Sequence, residues 1–204
     1  MEHVRVNLIT ADPQHAKDVV HYLETDAAPR LADEPGHRGV VLFGDLELGV
    51  VMFESFWVSG EAMKDSERAV EPLRKEAVRR GGGTATVEPY QVVGFQRQQR
   101  PSRGAGLRLT RFDVEPSRVD EGIAAYEDIA LPWLLESEGF CSSVLLVHRR
   151  TGRMMTEDVW RDPGALAASR SAATTARADA VAASDSLVRG LAEYAVELST
   201  VRPD

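Results

Sequence analysis

Sliding the 204-residue sequence against itself brings it into register once, with Arg5 on Arg108, and this internal repeat constrains the fold more than any other feature. In that register Pro13, Glu24, Pro29, Leu31, Gly36, Gly49, Met52, Glu54 and Trp57 meet Pro116, Glu127, Pro132, Leu134, Gly139, Gly152, Met155, Glu157 and Trp160 without a gap. By direct count about 19 of roughly 80 aligned positions are identical, against ~5 to 6% expected from average residue usage. Matched prolines, turn glycines and two of the three tryptophans exclude coincidence. The chain is a tandem duplication.

Each copy predicts the same elements. In the first, Val4 to Ile9 is apolar at alternate positions, as a strand requires, and Asp12-Pro13 places a cap and a first-turn proline before a helix reaching about Asp33. Gly39 to Phe43 and Val50 to Trp57 read as a hairpin around the turn at Asp45 to Gly49. Ser59 opens a second helix that stops at Gly81-Gly82-Gly83, and Thr84 to Phe95 closes the copy as a strand. The second copy repeats this order from Leu107 to Val201, with an alanine-rich second helix. The predicted organisation is a first domain over 1–96, a polar linker over 97–105 and a second domain over 106–204.

A βαββαβ unit carries both helices on one face of a four-stranded antiparallel sheet, so its other face needs a cover. The hairpin strands are apolar on both sides of the pleat, as a doubly covered sheet requires. The expected fold is therefore α+β: two tandem ferredoxin-like βαββαβ domains packed sheet to sheet within one chain. One chain should suffice for that assembly, neither half should be stable alone, and higher assembly through outer surfaces stays open.

Charge bears on partners. The formal charge of -8 repels phosphate backbones, and only the stretch Arg97 to Arg103 opposes it, so no nucleic-acid partner is expected. A lone Cys141 cannot form an intrachain disulfide, Met1-Glu2-His3-Val4 does not read as a signal peptide, and no apolar run approaches a membrane span. A cytoplasmic protein with no membrane partner is the expectation.

The segments Glu54-Ser55-Phe56-Trp57 with Ala62-Met63, and Glu157-Asp158-Val159-Trp160 with Ala165-Leu166, resemble the Glu-x-x-Trp strand end and following helix of the antibiotic biosynthesis monooxygenase superfamily, the dimeric α+β barrels. The resemblance covers essentially the whole chain as two copies and implies an intrachain version of that barrel. That superfamily includes cofactor-free oxygenases of aromatic polyketides, haem-degrading enzymes and small-molecule isomerases. Its members often carry a histidine about nine residues after the tryptophan, the iron ligand of the haem-degrading branch. Here Ser66 and Ser169 stand at those positions, which disfavours that route, although Asn7 resembles the asparagine of the same branch. Thr110 replaces it in the second copy.

On this resemblance the leading expectation is a cofactor-independent monooxygenase acting on an aromatic polyketide-like molecule and dioxygen, with no cofactor and no metal. A cyclase or isomerase, or a non-catalytic small-molecule or haem-binding protein, is the alternative. Asn7 and Trp57 are the candidate catalytic residues, and Arg5, Arg108, Arg111, Trp160, Tyr22 and Tyr126 the candidates for substrate binding. The duplicated arginines could hold a phenolate or carboxylate, or else pair with Glu54 and Glu157; the duplicated tryptophans could equally seal sheet against helix. His15 and His21 lie six apart on one helix and do not suit a metal site, and His37 and His148 sit near element ends. Because the copies differ at Asn7 and Thr110, and at Arg30 and Trp133, one open pocket and one filled pocket are expected.

Overall fold

The computed structural model describes residues 2–202. The first copy contributes β1 (His3–Thr10), α1 (Ala16–Tyr22), a π turn (Leu23–Ala27), α2 (Ala28–Ala32), β2 (His37–Asp45), β3 (Val50–Trp57), α3 (Gly60–Asp65), α4 (Glu67–Gly81) and β4 (Thr84–Arg97). The second contributes β5 (Gly106–Asp113), a 3-10 turn (Pro116–Arg118), α5 (Val119–Ala125), a π turn (Tyr126–Ala130), α6 (Leu131–Glu136), β6 (Phe140–His148), β7 (Arg153–Trp160), α7 (Pro163–Ser184) and β8 (Leu187–Ser199). No regular element occupies 98–105. The strands are hydrogen-bonded in the order β1-β3-β2-β8-β5-β7-β6-β4, which closes on itself as an eight-stranded barrel.

Within the described residues two compact units form, one from 2–90 with 196–202 and one from 91–195. Strands β4 and β8 each begin in one unit and end in the other. In the first unit Ile9, Val19, Leu23, Leu31, Leu42, Trp57 and Leu73 pack into one core. In the second, Val119, Tyr126, Leu134, Leu145, Met154, Trp160 and Leu166 do the same.

The turns explain several repeated residues. Gly49 and Gly152 adopt φ of +69° and +72°, and a Cβ there would stand 2.0 Å from the Ala11 carbonyl oxygen or 1.8 Å from that of Val114. No side chain fits, so both copies keep glycine. The repeated prolines have a different consequence. Each copy's first helix, expected to run unbroken, widens into a π turn at Leu23–Ala27 and again at Tyr126–Ala130, just before Pro29 and Pro132. Proline donates no N–H and its ring collides with the carbonyl four residues back, and a wider turn relieves both problems.

Candidate functional site

Pairing register sets the site. In the second unit β7 lies between β5 and β6, and one row across the three strands reads Arg108, Asp158, Ser143; the next reads Thr110, Thr156, Leu145. In the first unit the corresponding rows are Arg5, Ser55, Val40 and Asn7, Phe53, Leu42. These rows share the side of the pleat facing the helices, so duplication makes two comparable chambers under two pairs of helices. Substitution has made them unequal. Val19, Tyr22, Phe53, Val70 and Leu73 in the first unit align with Gly122, Ala125, Thr156, Ala173 and Ala176 in the second, and each exchange removes bulk.

The second unit accordingly holds a cavity of about 70 Å³, whereas its counterpart beside Asn7 and Phe53 holds about 10 Å³. One water needs roughly 10 to 15 Å³ on this scale. The first chamber is therefore filled and the second has room for several waters or a ligand. Its walls are mainly apolar, with Phe112, Trp133, Leu134, Leu145 and Met154 facing alanines of α7. The polar lining consists of Arg108, Thr110, Tyr126, Thr156, Asp158, Arg177, Ser184 and Ser186. Two wider grooves, one beside His37 and one beside Glu61, are lined mostly by half-buried and exposed residues.

Asp158 is the most perturbed acid of this wall. Its carboxylate accepts a 2.6 Å hydrogen bond from Ser143 Oγ and a 3.3 Å bond from Thr156 Oγ1, and the Ser143 hydroxyl lies 2.8 Å from the Tyr126 phenol oxygen. Burial pushes its pKa up to about 6, against the opposing pull of the Ser143 bond, the Arg108 charge and the Thr156 bond. Burial, reinforced by the Asp158 charge, also raises the Tyr126 phenol well above its ordinary value.

The duplicated arginines are anchored alike. Arg5 donates to Ser66 Oγ (3.1 Å) and the Met63 carbonyl; Arg108 donates to Ser169 Oγ (3.0 Å) and the Leu166 carbonyl (3.2 Å). Each guanidinium also sits against its tryptophan, Arg5 at 5.7 Å from the Trp57 ring centre and Arg108 at 4.9 Å from that of Trp160. Their ion-pair partners are Glu67 at 3.0 Å and Glu193 at 2.9 Å. Glu54 and Glu157, offered by the sequence as their partners, lie one residue out of the arginine rows and so on the opposite side of the pleat. Ser66 and Ser169, at the haem-ligand position, accept from these arginines and donate to the carbonyls of Met63 and Leu166 at 2.7 Å.

The other candidates are dispersed. Asn7 donates to the Phe53 carbonyl (2.9 Å) and accepts from Arg74, whose other nitrogen is held by Glu67. Trp57, fully buried, donates to Ser55 Oγ and meets His37 edge to face; Trp160 donates to Ser137 Oγ. Tyr22 lies under the Arg80 guanidinium, and Arg111 falls on the far side of the pleat from Arg108, Thr110 and Phe112. Of the eight candidates only Arg108 and Tyr126 line the 70 Å³ cavity. Asp158, Thr156 and Ser143 were missed because each is a single polar residue whose meaning lies in contrast with its aligned partner, Ser55, Phe53 or Val40, and Arg177 because it repeats Arg74 and differs only in its surroundings.

Arg177 shows that contrast best. Arg74 is neutralised by Glu67, but the position aligned with Glu67 in the second copy is Arg170, which pairs with Glu193 instead. Arg177 makes no ion pair among the described residues; its hydrogen bond goes to Thr174 Oγ1 at 3.3 Å. Burial and the nearby Arg108 lower its pKa, as expected of a cation awaiting a counter-charge. No group of histidine, cysteine and carboxylate side chains suited to a metal occurs among the described residues, and no helix among them is long and apolar enough to cross a membrane.

No family model matches the chain. It is 35% identical over 142 residues, 70% of its own length, to an uncharacterized protein of Mycobacterium tuberculosis, and the match spans 60% of that relative. Among solved structures, an anthrone oxidase-like protein superposes with a TM-score of 0.70 at 17% identity, covering 98% of this chain and 93% of that one. A candidate monooxygenase from Fusobacterium nucleatum superposes with a TM-score of 0.71 at 12% identity, covering 99% and 98%.

Proposed function

From a chain with the fold of the antibiotic biosynthesis monooxygenase-like proteins, we propose a cofactor-independent monooxygenase that oxidises an aromatic, polyketide-like small molecule in the second-unit cavity. One observation carries the reading: of two chambers made by duplication, the one kept open has mainly apolar walls and a few charged and hydroxyl side chains, Arg108, Asp158 and Arg177 among them. That lining suits a flat apolar ligand with one ionisable edge. The neighbour named anthrone oxidase-like supports a ligand of this class.

The chemistry follows from what the wall offers. An electron-rich phenol or anthrone reacts with dioxygen once deprotonated, because its anion gives up an electron readily. Arg177 and Arg108 stand where they can hold the developing negative charge, among mainly apolar walls that strengthen each interaction. The apolar walls shield the reactive anion. In this reading Tyr126 forms part of the cavity wall and Trp160, a substrate-binding candidate from sequence, instead backs Arg108, whereas Asn7 and Trp57 maintain the filled first unit.

Dioxygen uptake with 1,8-dihydroxyanthrone, without flavin or metal and in the presence of chelator, tests the reading. Uptake above the uncatalysed rate, abolished by filling the second-unit cavity, is the expected result. Conversion of the probe without dioxygen would point to a cyclase or isomerase instead, and uptake restored only by added haem or metal would overturn cofactor independence.

A further inference from the structure

We infer that Asp158 is the proton acceptor of the second-unit cavity, receiving a proton from an acidic C–H or O–H group of an aromatic ligand whose anion then faces Arg177 and Arg108. This rests on the reading of that cavity as a substrate site. It adds the group that makes the anion.

Comparison of the two copies carries the inference. Tyr126, Ser143, Thr156 and Asp158 align with Leu23, Val40, Phe53 and Ser55. Four linked polar groups thus occur in the chamber that stayed open, and in the filled chamber three of the four positions are apolar. Packing alone favours the apolar set of the first copy, because a buried carboxylate gives up its hydration and must be repaid by the residues around it. Retaining one against a cavity wall suits a group that needs to change its protonation state.

The hydrogen bonds have a fixed direction. An ionised carboxylate only accepts, so the single Ser143 proton goes to Asp158 and the Tyr126 phenol must donate to Ser143. Thr156 donates from the other side. Asp158 thus accepts from both Ser143 and Thr156, with Tyr126 donating behind Ser143, which favours the ionised carboxylate and leaves it further acceptor capacity. Burial opposes this and holds the group within reach of neutral pH, as an efficient general base requires.

The facing charges are few. Arg108 looks across from β5, Arg177 from α7 and the Tyr126 phenol from the π turn; Glu193 on β8 is taken up by Arg108 and Arg170. In the step itself a ligand C–H or O–H bond breaks, the proton passes to an Asp158 carboxylate oxygen, and the bonding pair stays on the ligand as an enolate or phenolate. No electron leaves the ligand in this step.

Anaerobic exchange of the C10 hydrogens of 1,8-dihydroxyanthrone in deuterated buffer, followed by mass spectrometry from pH 5 to 9, isolates this transfer from the reaction with dioxygen. The protein should accelerate exchange, with a rate that rises and levels off through an apparent pKa near 6. Asp158→Asn should slow it by roughly 10²- to 10⁴-fold, the usual range for a positioned base, while binding of 1,8-dihydroxyanthraquinone is retained. Ser143→Ala should keep exchange but move the pH limb upward, because the ionised form loses a hydrogen bond. That second variant decides the matter if the first does not fold. Exchange by Asp158→Asn at the wild-type rate, an unmoved limb in Ser143→Ala, or no acceleration by the wild-type protein would each overturn the inference. Exchange without dioxygen uptake would leave Asp158 as the base and remove the oxygenase reading instead.

Discussion

If Asp158 is kept for proton transfer and not for packing, its neutral isostere should be the more stable protein at alkaline pH. The pKa rises from an ordinary 3.8 to about 6, and at 1.36 kcal/mol per unit the buried charge costs on the order of 3 kcal/mol. Between those values the folded chain holds a proton that the unfolded chain releases, so stability falls as pH rises and the whole cost is present above about pH 6. His37 acts in the opposite sense. Burial lowers it from 6.5 to about 4, so its contribution grows as pH rises through that window and partly masks the Asp158 slope in the wild-type protein. The difference between wild type and Asp158→Asn cancels His37. Thermal melts at pH 4 and pH 8 should give matching midpoints at the lower pH and a gain of several degrees for the variant at the higher, at roughly 2 to 4 °C per kcal/mol for a chain of this size. A variant that melts below wild type at pH 8 would show that the carboxylate is structural.

Other expectations follow from the same contrasts. Arg177→Gln should weaken binding of anthraquinone-2-carboxylate by about 10- to 100-fold, the range for losing a hydrogen bond to a charged group, and leave the matching carboxamide unaffected; calorimetry reads both. The triple change Thr156→Phe, Ala173→Val and Ala176→Leu imports the first copy's residues and should abolish probe binding without lowering the melting temperature, since each buried methylene adds about 0.8 kcal/mol. Asn7→Ala should cost about 1 to 3 kcal/mol in denaturant melts by stranding the Phe53 carbonyl and Arg74, with probe turnover unchanged. His37→Phe should flatten the rise of stability with pH between about 4 and 6.5.

Much of the fold was legible because duplication prints it twice. Gly49 and Gly152 recur because the backbone leaves no alternative, Pro29 and Pro132 recur at the starts of α2 and α6, and alternation in Val4 to Ile9 and Leu107 to Phe112 reports a pleat directly. The π turns were not legible, because helix periodicity does not register one extra residue per turn. Identity between copies also drew attention to Arg5, Arg108, Trp57 and Trp160, yet three of these four line no cavity and all four are tied into local anchors. Most of what repeats unchanged, such as Gly49, Gly152, Trp57 and Trp160, serves the fold of both copies, although Arg108 and Arg177 also repeat and line the second-unit cavity. The proposed site takes its distinguishing groups from where the copies diverge, at Asp158 against Ser55 and Thr156 against Phe53, and reading that divergence requires knowing which strand neighbours share a row.

A crystal structure of the protein grown with 1,8-dihydroxyanthraquinone tests the central claim most directly. Planar density among Trp133, Leu145 and the alanines of α7, with a ring oxygen within hydrogen-bond reach of Arg177 and Asp158, is the predicted result. Density in the first unit beside Asn7, or in the groove beside His37 with the second-unit cavity empty, would contradict it.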